Sequence, residues 1–165
     1  MDRWFGRLLG LVGAGVGILI GLMAVVMSVD VALRNFGPGN LAWVVEVSEY
    51  ILFITAFLGA PWALRQGAHI RMDLVVLSLP PAGRVAVEIL GDLLGLAVSV
   101  VMLWYGLAAA QDAYKTGTVI IKFLVVKEWW SLSIVPVAAL LLSIEFLFRL
   151  ARLKGAGGSD QVGTP

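Results

Sequence analysis

Residues 8 to 29 read LLGLVGAGVGILIGLMAVVMSV, from Leu8 to Val29, without one charged side chain. At a rise of about 1.5 Å per residue, a helix of this length crosses a hydrocarbon core of roughly 30 Å. The run exceeds the apolar region of a secretory signal, and no small-residue cleavage site with a polar flank follows it, so it is expected to stay as a helix. Three further runs have the same character: Trp43 to Leu64, Val85 to Ala110 and Trp130 to Leu150. Composition agrees, with 60% hydrophobic and 14% charged residues and a mean hydropathy of +0.95, outside the range of soluble domains. None of the runs alternates with period two. Backbone amides in lipid must be satisfied within their own segment or in a closed barrel, so these runs are helices. The expected fold class is an all-α membrane protein with four transmembrane helices. Residues 1–154 form its single domain, and the Gly-rich segment GAGGSDQVGTP, residues 155–165, is expected to be a disordered tail.

The same sequence excludes several chemistries. It has no cysteine and one histidine, so it offers no disulfide, thiolate metal site, haem attachment or imidazole metal cage. No nucleophile stands in a recognisable arrangement with a base, so an enzyme is not expected, and neither are a catalytic residue or a bound cofactor. The net charge of +1 gives no reason to expect a nucleic-acid partner. Basic residues set the orientation. With the N-terminus inside, Arg3, Arg7, Arg65, Arg71, Arg84, Arg149, Arg152 and Lys154 face inward, against Arg34, Lys115, Lys122 and Lys127 outside. The excess predicts cytoplasmic N- and C-termini.

The stretch FITAFLGAPWALRQGAHIRMDLVVLSLPP, Phe53 to Pro81, leaves the second span and enters a different environment. Gly67 can end the helix, and Pro80, Pro81 and Gly83 punctuate the approach to the third. Between them, Ile70 to Leu79 is too short to span and too apolar for water. It is expected to lie on the membrane surface as a short amphipathic helix, the alternative being an apolar loop tucked against the bundle. His69 sits among Arg65, Arg71 and Asp73, where it can cap the helix end or dock a partner. A proton relay would need a second titrating group in line, and only Asp73 is near.

Small residues recur at helix-contact spacing. Gly6, Gly10, Gly13, Gly17 and Gly21 mark the first span, and Gly91, Gly95 and Ser99 the third. In lipid such spacing lets backbones approach, either within the bundle or against a partner. Acidic residues enter the spans near their ends, where they should face protein or water. Glu46 and Glu49 do so in the second span, Glu88 and Asp92 in the third. Spacing of four residues suggests that Asp30 pairs with Arg34 and Glu145 with Arg149. Asp92 has no cation one turn away in sequence, which makes it the best candidate for contact with another helix or a partner. At mid-depth, Thr55 and Ser99 can bond back to their own helices.

The segment FLGAPWALRQGAHIRMDL resembles the signature of the DctQ-like small membrane subunit of tripartite ATP-independent periplasmic (TRAP) transporters. Arg34, Trp43 nine residues on and Glu46 three further are spaced as in that family, as is Gly59 after Glu46; Pro80 and Pro136 also fit. The resemblance is strong from about Val31 to Pro81 and weaker to Arg149. One departure is visible: many members carry paired acids after the tryptophan, whereas here Val45 precedes a single Glu46.

The resemblance implies an accessory or scaffold permease subunit. A periplasmic solute-binding protein would capture an organic acid, and a large polytopic membrane subunit would import it with sodium, whose sites would lie in that partner. Arg34, Trp43, Glu46, Gly59, Arg65, Gly67, His69, Asp73 and Asp92, with Gly17, Gly21, Gly91 and Gly95, are the candidate partner-contact or structural positions. The alternative is a self-contained small exporter or pore that oligomerises through its glycine faces and uses Glu46 or Asp92 as the coupling acid.

Overall fold

The computed structural model describes residues 2–37, 39, 41–66, 81–121 and 125–157. Four long helices carry the chain: α1 (Asp2–Phe36), α2 (Ala42–Arg65), α3 (Pro81–Thr116) and α4 (Glu128–Gly157). Each is long and apolar enough to span a bilayer. They enclose the four expected spans, and α4 continues to Gly157, three residues into the segment read as a tail. With 35 residues in α1 and 36 in α3, both are about 50 Å long, beyond the hydrocarbon thickness, so their ends tilt or project from it. The expected interfacial segment, residues 70–79, lies outside the described residues, as do Gly67, His69 and Asp73.

The helices stand in a row. α1 packs on α2, α2 on α4 and α4 on α3, which leaves α1 and α3 as the two edges. The seams follow a seven-residue period. On α1, Leu9, Met23 and Asp30 are buried, and Val16, at the same spacing, meets Gly59 of α2. On α3, Asp92, Ser99 and Ala113 are buried, and Gly106 of the same series lies 3.2 Å from Pro136 and Val135 when a Cβ is placed on it. Such a repeat keeps one stripe of a helix against its neighbour along a left-handed crossing. α2 and α4, in the middle of the row, bury residues towards two neighbours. α2 accordingly shows no apolar face in its sequence, because both flanks are covered.

Between α3 and α4 the chain forms a small antiparallel hairpin, β1 (Val119–Ile121) with β2 (Val125–Lys127), in which Val119 pairs with Lys127. Gly117 makes the exit from α3 possible. Its φ of +65° is the left-handed conformation that glycine adopts without strain, and its N–H donates to Ala113 O at 3.1 Å. The Glu128 N–H donates to Thr118 O at 3.1 Å, closing the hairpin onto the start of α4.

Candidate functional site

The charged side chains of the described spans gather at the two helix ends. At the end holding the N-terminus of α1 and the C-terminus of α4, a network joins three helices. Glu145 is fully buried, and its two carboxylate oxygens each accept from one guanidinium. Arg65 Nη1 of α2 lies at 2.8 Å from Oε2 and Arg152 Nη2 of α4 at 2.9 Å from Oε1. Arg149, one turn beyond Glu145, turns the other way to Asp92 of α3, with Nε at 3.1 Å from Oδ1. Its Nη1 also reaches Leu64 O at 3.5 Å, one of the last carbonyls of α2. One basic cluster therefore ties the end of α2, the start of α3 and the end of α4.

One expectation is corrected here and one is met. Glu145 does not take Arg149 as its i to i+4 partner, because Arg65 arrives from α2 and Arg152 lies seven residues on along the same side of α4. Asp92 is already held by Arg149; its contact with another helix is real, but that helix is α4 of this chain. The spacing of Arg65, Arg149 and Arg152 at two helix C-termini was the available signal. The dipole there favours cations, yet it does not say which acid each will reach.

At the opposite end, Asp30 joins the α1–α2 turn. Arg34 Nη2 lies at 2.7 Å from Oδ2, as its spacing predicts, and the Leu41 N–H donates to Oδ1 at 2.7 Å. Arg34 thus fixes the acid that caps the entry to α2. Trp43 lies partly exposed in the first turn of α2, and Glu46 is buried one turn deeper, while Glu49 is exposed. The Arg34–Trp43–Glu46 set thus converges on one corner. At mid-depth the polar groups close on their own helices: Thr55 Oγ1 donates to Leu52 O and Ser99 Oγ to Gly95 O, while Ser143 Oγ, at the level of Glu145, donates to Ala139 O. Among the described residues no cluster of acids and histidine is placed to hold a metal.

The glycines divide by neighbour. A Cβ on Gly95 would fall inside the Phe146 ring, and one on Gly13 would lie 2.5 Å from the Trp62 indole; these serve packing within the chain. Gly91 is a correction to the α3 stripe. It is exposed with open space around it, whereas Gly95 and Ser99 face α4. Gly10, Gly17 and Gly21 of α1 also have nothing within 4 Å of a Cβ position.

Four spanning helices locked at their ends by ion pairs define a multi-pass membrane protein. Comparison with known proteins narrows the class. The family described as the DctQ component of tripartite ATP-independent periplasmic transporters matches residues 23–154, and the chain belongs to it. This is a family of transporter components, not of enzymes. The chain is 28% identical over 107 residues to the ectoine TRAP transporter small permease protein TeaB of Halomonas elongata, covering 62% of this chain and 53% of that protein. It is also 28% identical over 76 residues to a putative TRAP transporter small permease protein of Haemophilus influenzae, covering 46% of this chain and 47% of the relative. The chain thus spans about half the length of the curated relatives it matches.

Proposed function

We propose that this chain is the small accessory subunit of a sodium-coupled transporter that takes up an organic acid delivered by a periplasmic binding protein. Its part is to hold a large membrane subunit, which carries the sodium and substrate sites, steady in the bilayer. The observation that supports this most is the use of the charged side chains. Asp92, Arg149, Glu145, Arg65 and Arg152 hold α2, α3 and α4 to one another at one end, and the mid-depth hydroxyls bond back to their helices. A carrier acting alone is expected to place a counter-charge or a broken helix near the midplane. The organic-acid class rests on the family resemblance; one relative is named for ectoine.

The surface offered to the large subunit is the outer side of α1. Gly10, Ala14, Gly17, Gly21, Ala24 and Ser28 alternate at spacings of four and three and are all exposed. At about 100° per residue they lie roughly 130° around the helix from the seam that faces α2. This second heptad seam is built of the small residues that membrane helices use for close approach. The test is copurification with the large subunit. Gly17→Leu and Gly21→Leu should each reduce recovery of the partner, while Leu11→Phe, about a quarter turn away, should not; equal recovery with all three removes α1 from the interface. In the same membranes a reporter after Arg152 should read cytoplasmic and one at Gly117 periplasmic, as the basic asymmetry predicts. The reverse readout overturns that orientation.

A further inference from the structure

Beside the close contact of Gly106 with Pro136, α3 and α4 part around an open groove of about 380 Å³ on the hairpin side of the molecule. Its lining changes along its length. Leu103, Leu107, Val137 and Leu140 form the inner part, and Gln111, Tyr114, Trp129 and Ser133 the part next to the hairpin. Tyr114 and Trp129 meet edge to face, with ring centroids 5.6 Å apart. Aromatic residues of this kind mark the level of the lipid headgroups. Leu103 to Tyr114 on one wall and Trp129 to Leu140 on the other each cover eleven residue steps. That is about 16 Å at about 1.5 Å per residue, close to half of a hydrocarbon core of roughly 30 Å. The groove therefore has the depth of one leaflet and the polarity gradient of one lipid.

Its hairpin end carries both signs of charge, two lysines with Glu128 between Lys127 and Trp129. Lys115 follows Tyr114, Lys127 stands two residues before Trp129, and both are exposed. Asp112 lies on the far side of α3, half a turn from the groove by its spacing. The walls also argue against a helix as occupant. Helix contacts in lipid are enriched in small residues, as on the outer seam of α1, whereas leucine, tyrosine and tryptophan side chains form most of this groove, with Ala110 and Ser133 among them.

We propose that the groove holds one acyl chain of a phospholipid from the leaflet on the hairpin side, with the lipid phosphate between Lys115 and Lys127. The site is independent of the transport role proposed above. Native mass spectrometry of the chain, released from mild detergent with whatever subunit copurifies, should show one retained phospholipid per copy when phosphatidylglycerol is the probe. Leu107→Trp with Val137→Trp fills the groove and should remove that adduct. Lys115→Gln with Lys127→Gln, both on the surface, should weaken retention about tenfold, the change expected for one charge-assisted hydrogen bond. A photoreactive benzoylphenylalanine at Leu107 should add the mass of a phospholipid on irradiation in native membranes. Unchanged retention in both double variants overturns the proposal, and so does a photoproduct joined to another protein, which would show a partner in the groove.

Discussion

Glu145 illustrates how a single residue organises this protein. Its carboxylate has no exposed surface and is held by Arg65 from α2 and Arg152 from its own helix. An ion pair removed from water gains little over a well-packed apolar pair, but deleting one member strands the other at high cost. Glu145→Ala leaves Arg65 and Arg152, 20% and 51% exposed, within reach of water, so it should destabilise the protein by less than the roughly 3 to 5 kcal/mol of a fully buried pair, measured by unfolding in mixed micelles. Asp92→Ala and Arg149→Ala, combined in a double-mutant cycle, should show a coupling of about 0.5 to 3 kcal/mol. Additive losses would mean that the 3.1 Å contact contributes nothing specific. The pairing was only partly legible in the sequence. Burial of Asp92 follows from an acid set inside an apolar run, and Asp30 with Arg34 follows from spacing. Arg65 is eighty residues from Glu145, and which helix lies beside α4 is decided by packing of the whole row, so local spacing pointed to Arg149 instead.

At the scale of elements, the four spans were legible because lipid leaves the backbone few options, and length and composition settle the rest. The β1–β2 hairpin was not foreseen. Its signal lies in the β-branched VII and VVK segments between Gly117 and Glu128, runs of three residues that are too short to stand out beside the spans. Helix faces were harder still. Gly91, Gly95 and Ser99 share a four-residue spacing, yet the α3–α4 seam runs through positions seven apart and excludes Gly91. The difference is testable. Gly95→Leu must displace the Phe146 ring, and overpacking of this kind should cost about 1 to 3 kcal/mol or more. Gly91→Leu meets open space and should leave unfolding of the isolated chain nearly unchanged. Equal losses from the two would contradict the seam placed between α3 and α4.

For the whole molecule, the open row has a consequence that a closed bundle would not. α2 and α4 are covered on two sides, while α1 and α3 each present a long apolar face: Leu11, Ile18 and Val25 on α1, and Leu90, Leu94 and Val101 on α3, are exposed. In a bilayer these faces meet lipid tails or another helix at similar hydrophobic cost, so close packing decides between them. The small seam of α1 favours a helix, and the bulky groove of α3 and α4 favours lipid. On the role proposed above, a row of this shape would add a broad edge to the large subunit without adding a path for solute. Reconstituted alone, the chain should move no organic acid in response to a sodium gradient. With the large subunit and the binding protein, uptake should appear and should fail when this chain is omitted. Glu46→Gln, which alters the one buried acid near the start of α2, should then lower assembly or the maximal rate and leave apparent substrate affinity and sodium dependence little changed, because the sites that set them lie in the partner on this reading. Uptake by the chain alone, or a Glu46→Gln complex that assembles normally with an altered sodium dependence, would transfer the coupling role to this subunit and restore the small-carrier alternative.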